Sequence, residues 1–231
     1  MTTKRIGLVT ITQADDDLPW VLALAAHCHK LWVVVNSPNP MLGLAERITG
    51  LIDGPCTVDV VHFDLSQTEG QGRLTDFIRQ QSPLHYVVNL YGHPLVITAS
   101  SLSATLPTGA NATFIDASMD DVLKMVRRDV DAILLLSQAV LTGMKQVKQG
   151  LLLQIFVGFA QDQLLAPFTE ATTQFVEQFS AGLNEQLAMN YPQINVQSAR
   201  YLPVSSPEDG VAILETPAVL LANALSAGNA S

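Results

Sequence analysis

The chain has 231 residues, 48% of them hydrophobic, which excludes a disordered chain and supplies material for a full core. Its 12 Lys and Arg stand against 21 Asp and Glu, a net charge of −9, and this disfavours nucleic acid and anionic membranes as partners. Cys28 and Cys56 lack metal-ligand or redox spacing, no secretory signal opens the sequence and no run is long enough to span a bilayer, so the expectation is a cytoplasmic protein.

Residues 5–11 form an apolar, β-branched run that predicts a first strand. "TITQADDDLPW" (10–20) leads from it into a helical period, predicting a helix over 19–30 with Pro19 in its first turn. "LWVVV" (31–35) is a second strand, followed by Asn36-Ser37-Pro38-Asn39-Pro40 and a helix over 41–51. Residues 57–63 make a third strand, 73–81 a helix and 85–91 a fourth strand containing "YVVNLY". Such continuous apolar runs suit parallel strands covered on both faces. Segment 92–118 is long, rich in Ser, Thr, Ala and Pro, and weakly periodic; it reads as a surface excursion with a short helix, or as a lid. A long helix over 119–149, a strand over 151–159, a helix over 172–189, a strand over 195–201 and a helix over 217–226 complete the pattern. Strand–helix alternation predicts an α/β, doubly wound, Rossmann-like parallel sheet with right-handed crossovers, as one domain over 1–231.

Several segments, in order, carry a family likeness. They are Val9–Thr10 at the end of the first strand, "FDLS" (63–66), "VVNLYG" (87–92), the long helix at 120–144, "FSAGLNEQLA" (179–188) and "INVQSA" (194–199). Together they resemble the short-chain dehydrogenase/reductase family over nearly the whole chain. The resemblance implies about six strands in the order 3-2-1-4-5-6 with helices on both faces. The family's seventh strand is expected to be missing, because the chain stops after a segment like its last helix.

The family's chemistry is absent at the matching positions. Its first loop reads Thr-Gly-x-x-x-Gly-x-Gly, and counting from Thr10 the glycines fall on Ile11, Asp15 and Asp17. Those glycines let the backbone approach a diphosphate resting on a helix N-terminus. Acidic side chains there favour the helix but repel the anion, by about 4 kcal/mol for two unit charges 4 Å apart at an effective dielectric of 20. The expectation is that Asp15–Asp17 cap the helix a dinucleotide would otherwise cap; solvated acids and a divalent-cation site are the alternatives. After the second strand, 36–40 offer neither the Asp that would bind ribose nor the Arg or Lys that would bind a 2′-phosphate. The family's catalytic Ser falls on Phe156 or Val157. Its Tyr-x-x-x-Lys falls on Phe168 and Thr172, or on Thr169 and Thr173 in a second register. None of these residues can act as a tuned proton donor. The family's helix Asn corresponds to Asp129, and its Pro-Gly after the sixth strand to Tyr201-Leu202. Asp64, Asn89 and Gly92 survive as candidates for a residual adenosine pocket.

Other candidates weigh less. His27 and His29 in "AHCHK" would point about 200° apart on a helix and could not share a metal. Tyr91 and His93 lie at a strand's carboxyl end, where α/β ligands bind, and Tyr91 is the one plausible replacement acid. Tyr191 and Tyr201 suggest no role, and no metal site, nucleophile elbow or phosphate loop is present. The expectation is therefore a non-catalytic family member, without cofactor, acting as a binding or assembly subunit. It would form a homodimer, or a heteromer with an active reductase, through helices 119–149 and 172–189. The alternatives are an oxidoreductase binding NAD or NADP atypically, and a small-molecule binder using 92–118 as a lid.

Overall fold

A computed structural model describes residues 4–37, 41–92, 118–157, 166–201 and 216–229. Six strands are seen: β1 Ile6–Ile11, β2 Lys30–Asn36, β3 Thr57–Phe63, β4 Tyr86–Tyr91, β5 Gly150–Val157 and β6 Ile194–Tyr201. They form one parallel sheet in the order β3-β2-β1-β4-β5-β6. Between them run α1 Ala14–Ala25, α2 Leu44–Leu51, α3 Thr68–Gln81, α4 Met119–Val126, α5 Ala132–Val147 and α6 Ala166–Ala188, and α7 Pro217–Asn229 follows β6.

Side chains alternate across the sheet and feed two cores. Val9, Ile11, Val33, Val35, Val88 and Leu90 pack under α1, α2 and α7. Leu8, Val34, Val87 and Leu152 pack under α3, α5 and α6. Burial on both faces is why the strands read as unbroken apolar runs. Among the described residues no helix is long and apolar enough to cross a membrane.

Several helix boundaries depart from the sequence expectation; α3, for one, begins at Thr68 rather than 73. α1 starts at Ala14, five residues before Pro19, so Asp15, Asp16 and Asp17 lie in its first turn and Pro19 lies inside it. The acids match the helix dipole there, and the proline removes a single bond near the end of the ladder. α1 also ends at Ala25, so "AHCHK" is a turn leading into β2 and helical spacing does not apply to it. The long helix over 119–149 is interrupted by a π-helical turn, Arg127–Asp131, between α4 and α5. There the N–H of Ala132 donates to the carbonyl of Arg127, five residues back. α6 begins at Ala166 rather than 172. Segments 93–117, 158–165 and 202–215, with His93 and Leu202, lie outside the described residues.

Candidate functional site

The carboxyl ends of β1, β4, β5 and β6 make the crevice where open α/β sheets bind ligands. At its centre the β1–α1 turn is held by Asp17. This residue is 0% exposed, and its Oδ2 accepts the backbone N–H groups of Thr12 at 2.8 Å and Gln13 at 2.9 Å. The side chain reaches back from the helix's first turn, because Gln13, at the N-cap, makes no side-chain cap of its own. An anion at this turn would compete with the carboxylate for the same amides. Asp15 pairs with Arg47 of α2 at the surface. Ile11, expected at the first glycine position, is buried in the core.

Beside the turn lies a second acidic group. Asp129 of the π-helical turn receives two hydrogen bonds from Arg128, Nε to Oδ1 at 2.6 Å and Nη2 to Oδ2 at 2.5 Å. Their side chains are only 9% and 6% exposed. Both residues line a cavity of about 10 Å³ with Thr12, Asn36, Asn89 and Gly92. That space admits little more than one water. Gln71 of α3 braces the turn by donating to the carbonyls of Arg127, at 2.8 Å, and Leu65, at 3.0 Å. Asp64 closes a local turn instead, accepting Ser66 N at 3.0 Å and Ser66 Oγ at 2.6 Å.

Asn89 belongs to a buried polar row across the sheet. Thr10 Oγ1 donates to Asn89 Oδ1 at 2.7 Å, Asn89 Nδ2 to Gln154 Oε1 at 2.7 Å, and Gln154 Nε2 to Ser137 Oγ of α5 at 2.9 Å. Strand register makes the row: Thr10 is opposite Asn89, and Asn89 opposite Gln154. Both ends of the Asn89 amide are thus engaged inside the protein. Gly92, with φ of 83°, lies against the Phe156 ring so closely that a Cβ would sit 2.3 Å from it.

The residues expected at the family's catalytic positions are also packed. Val157 is buried on the α1 face of the sheet. Phe156 is on the opposite face, with Tyr91, Ile133 and Val176. Phe168 is half-buried on α6, and Thr172 and Thr173 are buried. Thr173 donates to the carbonyl of Thr169, one turn back, at 2.8 Å. Tyr91 is buried, and its hydroxyl has no hydrogen-bond partner among the described residues. Burial first, then the Glu177 and Asp129 carboxylates, push this phenol well above its usual range, with Arg200 offsetting part of the shift. A proton donor suited to neutral pH needs the opposite shift. Arg200 itself is gripped by Glu177, at 2.7 Å, and Glu170, at 3.1 Å. Tyr201 stands edge-on to Trp20 of α1 with ring centroids 5.5 Å apart. Burial, then Asp16 and Asp17, push its phenol up as well.

Gln154, Arg128 and the reach of Asp17 were not singled out in the sequence. The usable signal for Arg128 was an adjacent Arg-Asp pair in an otherwise amphipathic helix. Among the described residues no cluster of His, Cys, Asp and Glu could hold a metal.

No family model and no curated protein matches the sequence. Solved structures do match. The bulky-bulky ketone specific alcohol dehydrogenase from Comamonas testosteroni aligns with a TM-score of 0.69 at 21% identity, over 99% of this chain and 84% of that one. A putative oxidoreductase from Escherichia coli K-12 aligns with a TM-score of 0.71 at 17% identity, over 97% and 92%. A metagenomic short-chain oxidoreductase solved with NADP aligns with a TM-score of 0.67 at 14% identity, over 97% and 91%. The fold is that of the short-chain dehydrogenases and reductases. At these identities the likeness speaks for the fold, and function must be argued from the crevice.

Proposed function

We propose that this protein is a degenerate short-chain dehydrogenase/reductase that binds no nicotinamide dinucleotide, performs no hydride transfer and serves as an assembly subunit. The observation that carries the reading is the Asp17 carboxylate on the Thr12 and Gln13 amides. In the related folds a diphosphate rests at this turn, against a helix N-terminus. The residues present do not fit that group, because the amides are taken and the charge has the wrong sign. The Arg128–Asp129 pair narrows the crevice, and Phe156 closes on Gly92.

The assembly surface is the outer face of α5 and α6. Leu134, Leu135 and Phe175 are exposed there, and Phe175 stacks on Phe179 with ring planes 8° apart. A shallow groove of about 340 Å³ runs between the helices, lined by Leu134, Leu141, Phe179 and Leu183, with Lys145 as its one charge. The occupant proposed is a second copy of the chain related by a two-fold axis, the commonest arrangement of identical subunits. An almost uncharged apolar face on both helices suits self-pairing.

Two assays test this reading together. Light scattering should give a dimer mass at micromolar concentration. Oxidation of NADH and NADPH with a panel of ketones should stay at the no-enzyme rate. A monomer that gains mass only on adding an active reductase would replace the homodimer with a heteromer. Turnover that depends on either nucleotide would replace the whole reading with an oxidoreductase of atypical cofactor mode.

A further inference from the structure

At the opposite end of the sheet, where β1, β4, β5 and β6 begin, lies a cavity of about 410 Å³. It is within the usual size range of small-molecule sites, about 300–1,000 Å³. Arg5, His27, His85, Tyr86 and the side-chain amides of Gln149, Gln193 and Asn195 supply its polar lining, and among the described residues no Asp or Glu lines it. In a chain with 21 acidic residues, Arg5 is then the one fixed charge on the described lining.

The donors are prepared for an oxygen-rich anion. Among the described residues Arg5, Arg73 and Arg127 show no carboxylate partner, and of these Arg5 alone lines the cavity. Its guanidinium is steadied over the Tyr86 ring, 5.4 Å from the centroid. The N–H of Ile6 donates to His85 Nδ1 at 3.3 Å, so the neutral ring carries its proton on Nε2 and presents a donor. Burial, then the Arg5 charge, holds both His27 and His85 below the ordinary histidine range, as expected for rings facing a cation without a counter-ion.

We infer that this cavity is a binding site for a small oxyanion-bearing molecule, a carboxylate or a phosphate, with Arg5 as its anchor and His27 and His85 as flanking donors. It is remote from the carboxyl-end crevice and independent of whether that crevice binds a nucleotide. Arg5 supplies a planar fork that matches either oxyanion.

The test uses the full chain, inorganic phosphate and succinate as probes, and sodium chloride of equal ionic strength as the control. Histidine ring resonances are followed by NMR. Either probe should saturably move the signals of His27 and His85 while those of His29 and His62 stay still, and the probe that does so identifies the oxyanion. R5Q, a substitution at an exposed position, should weaken this by roughly tenfold or more. The Asn195→Ala variant, which keeps the charge, should weaken it less. No saturable shift with either probe would overturn the proposal. So would shifts that chloride reproduces, or binding unchanged in R5Q.

Discussion

Asp17 Oδ2 lies 2.8 Å from the backbone nitrogen of Thr12, so a side chain from the first turn of α1 holds the loop that leads into it. With the Gln13 amide the contact is a two-point clamp, and it spends the donors that would otherwise greet a phosphate. Replacing Asp17 with Ala should cost about 1–3 kcal/mol, since a cap is lost and two part-buried amides lose their acceptor. The Asn variant keeps an acceptor and should lose less. Urea unfolding at constant m-value reads both.

Gly92 and Phe156 make a second lock. A methyl at position 92 would meet the ring at 2.3 Å and would have to accept a φ of 83°. G92A should lose about 2–4 kcal/mol, combining overpacking with left-handed backbone strain. Shrinking the ring should remove the clash but not the strain. In a double-mutant cycle the loss in G92A/F156A should therefore be smaller than the sum of the single losses.

The polar row offers a third handle. Gln154→Leu leaves Asn89 Nδ2 and Ser137 Oγ without their partner inside the sheet. Each group so stranded costs about 1–3 kcal/mol. The expected result is a large fall in denaturation midpoint with the helical circular dichroism retained below it.

Neighbouring leucines on α5 offer a way to separate the proposed assembly from folding. Leu135 is 39% exposed on the outer face, while Leu136 is 1% exposed inside the core. L135D should yield a folded monomer by light scattering. L136D should unfold the chain at any concentration, so it is no test of assembly.

Alkaline pH should destabilise the fold. Burial, with the neighbouring Cys56, pushes the Cys28 thiol from 9.0 up to about 12, and burial likewise raises the Tyr86, Tyr91 and Tyr201 phenols. Raised acids favour the folded state while they are protonated. For Cys28 that contribution is complete below pH 9 and disappears as pH climbs through about 12. Stability measured by urea midpoint should accordingly decline above pH 9. Iodoacetamide should label Cys28 slowly at pH 8 until urea is added.

The sheet was legible because double-sided burial writes itself into "LWVVV" and "YVVNLY" without ambiguity. The start of α1 was not. Pro19 is a familiar first-turn residue, yet the dipole's preference for Asp15–Asp17 placed the start five residues earlier. The π-helical turn was also hidden, since its inserted residue leaves the apolar spacing of α4 and α5 nearly intact on either side. The glycines expected of such a loop can be looked for in a sequence. That Asp17 turns back onto Thr12, or that Arg128 folds onto its own neighbour Asp129, depends on packing that a linear pattern does not encode.

The central claim is that a carboxylate has taken the place of a dinucleotide's diphosphate at Thr12 and Gln13. Its most direct test is thermal unfolding of the R5Q protein, in which binding at the opposite cavity should be weakened, with millimolar NAD, NADP, NADH and NADPH. The account predicts an unchanged midpoint with all of them. Ligand at 100 times its dissociation constant would add about 2.7 kcal/mol, several degrees for a chain of this size. A rise of that order with any of these nucleotides would contradict it.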